Sequence, residues 1–148
     1  MMIDFEDINI RDLIPQKDPF VMVDALTYAD EDSATSRWTV CGDAIFADGK
    51  ILLPCAYLEN MAQTCAAHLG FVDNCLHGNK EVKIGYIGSV KNLVVNMTPK
   101  TGDTLTTTIQ VAEQVLDMKL INATTKIGDS VAATAELKIV VTDKTAER

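Results

Sequence analysis

Glu59 is the carboxylate best placed for chemistry, because it sits in PCAYLENMAQTCAAHLGFV (residues 54–72), where most neighbours are apolar. Glutamate is rarely buried without a partner or a task. Beside Leu58, Ala62 and Ala66 it would be a desolvated carboxyl suited to acid–base work. The structural alternative is a glutamate bonded to Gln63 or to the backbone. Only two histidines occur, His68 and His77. His68 follows Glu59 by nine residues, and at about 100° per residue it falls on the opposite side of a helix. His77 lies in the loop beyond and reads as a surface residue. Cys55 stands where a helix start activates a thiol, but with no histidine to pair it reads as a small buried hydrophobe. Cys41, Cys55, Cys65 and Cys75 form no CxxC pair, so free thiols are expected, with no metal site and no cofactor.

These residues need a helix to hold them. Pro54 suits the first helical position, where its missing N–H costs nothing. Ala56, Tyr57, Leu58, Met61, Ala62, Cys65, Ala66 and Leu69 surround the segment on most sides, and a helix apolar nearly all round is buried in a larger structure. Gly70 and DNCLHGN are expected to end it. Ahead of it, residues 5–14 read as a short helix or turn closed by Pro15. A strand follows from Phe20 (FVMVDALTYA), then a turn at DEDS and a second strand, SATSRWTV, with Trp38 and Val40 on one face. CGDAIFADGK reads as a loop. After the helix come VKIGYIGSVKNLVV, a turn at TPKTGD, TLTTTIQVAEQV, a tight turn near Leu116, MKLINATTKI, a GDS turn and VAATAELKIVV. Alternation in the later runs marks half-buried antiparallel strands.

One helix buried on most faces needs a sheet curled around it. The expected architecture is α+β, a strongly bent antiparallel sheet wrapping one helix, as a single domain over residues 1–148 with a frayed tail at 143–148. The net charge of −8, without a Lys/Arg run, argues against a nucleic-acid partner. An acidic start without a basic, apolar leader, and no apolar run of about 20 residues, point to a cytoplasmic protein with no membrane association.

Four segments, in order, resemble the beta-hydroxyacyl-ACP dehydratases of the hotdog superfamily. LIPQKDPFVMVD is similar to their LPHxxPFLLVD start, and LLPCAYLENMAQTCA to their PGxLxLExMAQ helix, with Glu59, Met61, Ala62 and Gln63 in register. GYIGSVKNL is similar to the strand along the substrate, and TPKTGDTL to the PxxPGDxL turn. The form LPxxYxLExMAQ resembles most the dehydratase-like proteins of aryl-polyene and flexirubin pigment clusters. The resemblance implies a hotdog dimer with sheets joined edge to edge and active sites between subunits. It implies an acyl thioester on the phosphopantetheine arm of an acyl carrier protein. Pro54, Cys55, Tyr57, Gln63, Tyr86 and Gly88 would line the substrate, and Glu59 would be the helix acid. Because carrier proteins are acidic, Lys80, Lys83 and Lys91 are candidates for docking.

Dehydration of a 3-hydroxyacyl thioester needs a base for the C2 proton, an acid for the leaving hydroxyl, and donors for the thioester oxygen. In the family a loop His is the base, and the helix N-terminus supplies the donors. Here the loop reads AIFADGKILLPC, without His and one residue short, with Asp48 and Gly49 near the gap. The first-motif His is replaced by Gln16. Three readings follow: a dehydratase-like protein acting on or binding acyl-carrier-protein thioesters in fatty-acid or polyene biosynthesis; a non-catalytic subunit of an active hotdog partner; or a thioesterase in which Glu59 activates water.

Overall fold

The computed structural model describes residues 2–146. Two 3-10 turns, Phe5–Asp7 and Ile10–Asp12, open the chain, capped by the Asp4 and Asn9 side chains. Strands β1 (Ala25–Ala29) and β2 (Ser33–Thr39) form the first hairpin. Asp30 closes its turn by accepting from the backbone N–H groups of Asp32 and Ser33, the usual role of Asp in a tight turn. A small hairpin of β3 (Ala47–Asp48) and β4 (Ile51–Leu52) leads into the helix α1 (Cys55–Phe71). Four long strands complete the chain: β5 (Lys83–Val95), β6 (Thr104–Val115), β7 (Met118–Ile127) and β8 (Ser130–Thr145). The main sheet runs β1-β2-β6-β7-β8-β5, with every neighbouring pair antiparallel.

Alternation along these strands builds the core, because side chains two apart share a face. Ala34, Ser36 and Trp38 of β2 are buried, as are Leu105, Thr107 and Ile109 of β6 and Ala133, Ala135, Leu137 and Ile139 of β8. Against them α1 buries Tyr57, Met61 and Phe71, each worth roughly 1.5–3 kcal/mol relative to exposure. One helix against a large antiparallel sheet is the α+β hotdog arrangement.

Several boundaries differ from the sequence reading, each for a local reason. Residues 20–24 are not strand, because Met22 bonds through its N–H to Gln63 and through its carbonyl to Asn60, so α1 satisfies this backbone. The stretch read as a loop holds the β3–β4 hairpin, and Asp48 is an exposed residue beside its turn at Gly49 (φ +66°). Pro54 is the N-cap of α1. Gly70 does not end the helix. It lies buried within it, where a Cβ would strike the Leu13 carbonyl oxygen. The helix then passes into a π turn, Val72–Leu76. At the other end β8 continues to Thr145, opposite Lys83, so the chain stays paired past 143; residues 147–148 of the expected tail lie outside the described residues.

Candidate active site on the central helix

The site grows from the first half of α1. Glu59 is half-buried, and its Oε1 accepts from Gln63 Nε2 at 2.8 Å, the spacing that places i and i+4 together on a helix. Gln63 is fully buried. Its Nε2 also donates to the Phe20 carbonyl at 2.7 Å, and its Oε1 accepts from the Met22 N–H at 2.7 Å. One carboxamide thus ties Glu59 to the segment before β1. It positions the acid, so the structural alternative weighed for Glu59 is a real contact, though it occupies only one carboxylate oxygen.

Deeper in, Asn60 donates to the Met22 carbonyl at 2.7 Å and accepts from Thr107 Oγ1 at 2.6 Å. Thr107 and Thr125 share a 2.7 Å bond across β6 and β7. Thr64 reaches Ser36 at 2.7 Å and the Asn60 carbonyl at 2.8 Å. A buried polar network satisfied in this way rigidifies its surroundings. Asn60, Thr64 and Thr107 were not singled out in the sequence; the signal was a polar residue at an inward strand or helix position.

The other expected site residues divide. Pro54 and Cys55 are exposed at the helix start, so Cys55 is not the buried hydrophobe its surroundings implied. The N–H groups of Ala56 and Tyr57 already bond the Leu53 and Pro54 carbonyls, which engages two donors that the family chemistry would aim at a thioester oxygen. Tyr57 is wholly buried and donates to the Met97 carbonyl at 3.0 Å. Burial pushes its phenol up to about 12, and it packs the core instead of lining a substrate. Tyr86 and Gly88 lie exposed on β5. Lys80 and Lys91 are exposed, whereas Lys83 is half-buried with its Nζ 3.8 Å from Asp73 Oδ2.

No histidine joins Glu59. His68 is buried, its Nε2 2.9 Å from the Asp30 carbonyl, and burial lowers its pKa, opposed by that carbonyl. It fastens the β1–β2 turn to α1. His77 is exposed after the π turn. Cys65 is the buried thiol, and burial raises its pKa to about 12. Among the described residues no cluster of His, Cys, Asp and Glu could hold a metal ion.

The edge of the sheet is the remaining feature. β5 pairs with β8 on one side only. None of its residues is buried, and Tyr86, Ile87, Val90, Leu93, Val94 and Val95 are all exposed. An apolar strand with one free edge is a template for another strand.

Comparison with known proteins agrees with this architecture. The sequence model of the ApeP-like family, described as ApeP dehydratase, matches residues 8–148. The dehydratase heterocomplex ApeI:P from Xenorhabdus doucetiae contains a chain of the same fold, with TM-score 0.85, 15% identity and 93% of each chain covered. The PH1136 protein of Pyrococcus horikoshii superposes with TM-score 0.66 and 15% identity, over 93% of this chain and 96% of that one. The E. coli PaaI protein gives 0.61 and 15%, over 78% and 80%. No curated protein sequence matches the chain.

Proposed function

Because this chain belongs to the ApeP-like dehydratase family, we propose that it is the histidine-free subunit of a two-subunit hotdog dehydratase acting on 3-hydroxyacyl thioesters of an acyl carrier protein. It pairs through β5 with a histidine-bearing hotdog protein. The partner's imidazole takes the C2 proton. Glu59, held by Gln63, gives a proton to the departing C3 hydroxyl, which leaves as water as the C2=C3 bond forms. The observation that carries this reading is an acid held in place with no histidine beside it, on a chain whose long apolar edge strand is paired on one side only. The heterocomplex named for ApeI:P supports the choice of a second hotdog protein over a second copy of this chain. Exposed Lys80 and Lys91 would meet the acidic carrier protein, and the reading places the pair in the cytoplasm.

Mixing purified chain with a 3-hydroxyacyl carrier protein should give no dehydration. Adding a histidine-bearing hotdog subunit should give a stable complex and loss of water. In that complex Glu59→Gln should lower the rate by about 100-fold or more without weakening assembly. Dehydration by the chain alone, or an unchanged rate in the Glu59→Gln complex, would sink the assignment. Release of free acid would point to thioester hydrolysis instead.

A further inference from the structure

The outer face of the sheet carries a pattern that the proposed chemistry leaves unused. Along β7 and β8 the residues Lys119, Ile121, Leu137 and Ile139 are buried, so the alternate residues Met118, Leu120, Lys138 and Val140 point outward. Residues directly opposite each other on antiparallel strands share a face, and the register therefore sorts this surface into rows across β6, β7 and β8. The first row is Val115, Met118 and Val140. The second is Glu113, Leu120 and Lys138, and the third is Gln110, Asn122 and Glu136. Val115 and Leu120 are apolar, yet they are 58% and 38% exposed. Ala112, the extra residue of the β6 bulge, lines a shallow groove of about 310 Å³ over the second and third rows, together with Leu120, Glu113 and Lys138.

Two properties of these rows point to what covers them. The first is charge. Glu113 and Glu136 are matched by Lys138 and by Lys91, which lies opposite Glu136 on β5, so this face is neutral on a chain of net charge −8. Glu113, Lys91 and Lys138 make no ion pair among the described residues. The second is symmetry. When β6 and β8 are exchanged about β7, every row meets its complement: Val115 faces Val140, Glu113 faces Lys138, and the Gln110 carboxamide faces the Glu136 carboxylate. Such self-complementarity is what a two-fold contact between identical surfaces requires.

We infer that two copies of this chain pack outer face against outer face, around a two-fold axis running along β7. Leu120 and Met118 then lie on their own counterparts in the second copy, and Glu113 of each copy meets Lys138 of the other. Face-to-face stacking with strands nearly aligned is an ordinary way for two sheets to pack. An axis across the strands would instead set Glu113 on Glu113 and Lys138 on Lys138, so charge selects the axis along β7. The contact uses a face and leaves the β5 edge free, so it stands independently of the dehydratase reading, and a pair joined through β5 could still double through it.

Sedimentation velocity on the intact chain tests this, with circular dichroism confirming that each variant folds. At one concentration wild type should show a species of twice the mass shown by Leu120→Asp, which sets two carboxylates together at the axis. Glu113→Lys and Lys138→Glu should each weaken the doubling by about tenfold or more, because like charges then face each other twice. Mixing the two single variants, or combining both changes in one chain, should restore it. Equal masses for wild type and Leu120→Asp, single reversals without effect, or no restoration on mixing would each overturn the inference. None of these substitutions lies on β5, so a failure of the edge pairing leaves the comparisons intact. Retention of wild type but not Leu120→Asp on phosphatidylcholine vesicles, without doubling of mass, would give the face to a lipid surface and overturn the inference as well.

Discussion

Exchanging Gln63 for glutamate keeps its shape and removes its donors, so it isolates what this one side chain does. The wild-type carboxamide donates to the Phe20 carbonyl and to Glu59, and accepts from the Met22 N–H. In Gln63→Glu the Met22 bond survives, but a carboxylate then faces a carbonyl and a second carboxylate. An acceptor stripped of its donor costs about 1–3 kcal/mol. The charge adds a pH-dependent part. Burial and the like charge of Glu59 raise the folded-state pKa of the new carboxyl above its unfolded value of about 4.3. The folded state then binds the extra proton, so stability is lost as pH rises through and above that value. That loss has a ceiling, the cost of keeping the carboxyl protonated. The ceiling is about 1.4 kcal/mol per pH unit, or just under ~4 kcal/mol at pH 7. The variant should therefore be weaker than wild type by about 1–2 kcal/mol near pH 4.5 and by about 3–5 kcal/mol at pH 7. Urea unfolding of both proteins at the two pH values, followed by circular dichroism, measures the gap. A gap that stays constant with pH, or one below about 1 kcal/mol at pH 7, would refute the assignment of Gln63 as the donor between Phe20 and Glu59.

Three further outcomes follow from the described geometry. Iodoacetamide at pH 8 should label Cys41, Cys55 and Cys75 in the folded chain and spare Cys65, whose buried thiol is held near 12; mass spectrometry reads the sites, and labelling of Cys65 at the same rate would contradict its burial. Gly70→Ala should destabilise by about 2–3 kcal/mol in chemical denaturation, because its methyl would strike the Leu13 carbonyl. Leu116 is 91% exposed and holds a φ of +56° in the two-residue turn between β6 and β7, so Leu116→Gly should stabilise by about 1 kcal/mol, seen as a higher Tm.

The helix and the later hairpins were legible because their signals are local. An Ala/Leu/Met run opening at Pro54 became α1 within a residue at each end, and Leu116 and Gly128 turn where the alternation breaks. What escaped depends on distant partners. Gly70 looks like a helix stop from its neighbours alone, yet the backbone of Leu13 dictates it. Tyr57 lies two residues before the proposed acid, but a carbonyl forty residues on claims its hydroxyl. Residues 20–24 read as strand by composition, while two side chains of α1 take up their backbone bonds. Glu59 itself was legible as a position, since Gln63 lies one turn away in sequence; the emptiness of its surroundings in histidine was legible from a count.

The two rims of the sheet are unequal, and that bears on how far such a chain can assemble. β1 is five residues long and its pairing is broken by a bulge between Leu26 and Tyr28, whereas β5 offers thirteen residues with its outer side open. The second rim offers the longer template for another strand. A subunit joined there would use its longer border and leave the shorter, bulged rims at the ends. Under the proposed pairing, growth into a filament, the hazard of any open sheet, would have to pass through those shorter rims.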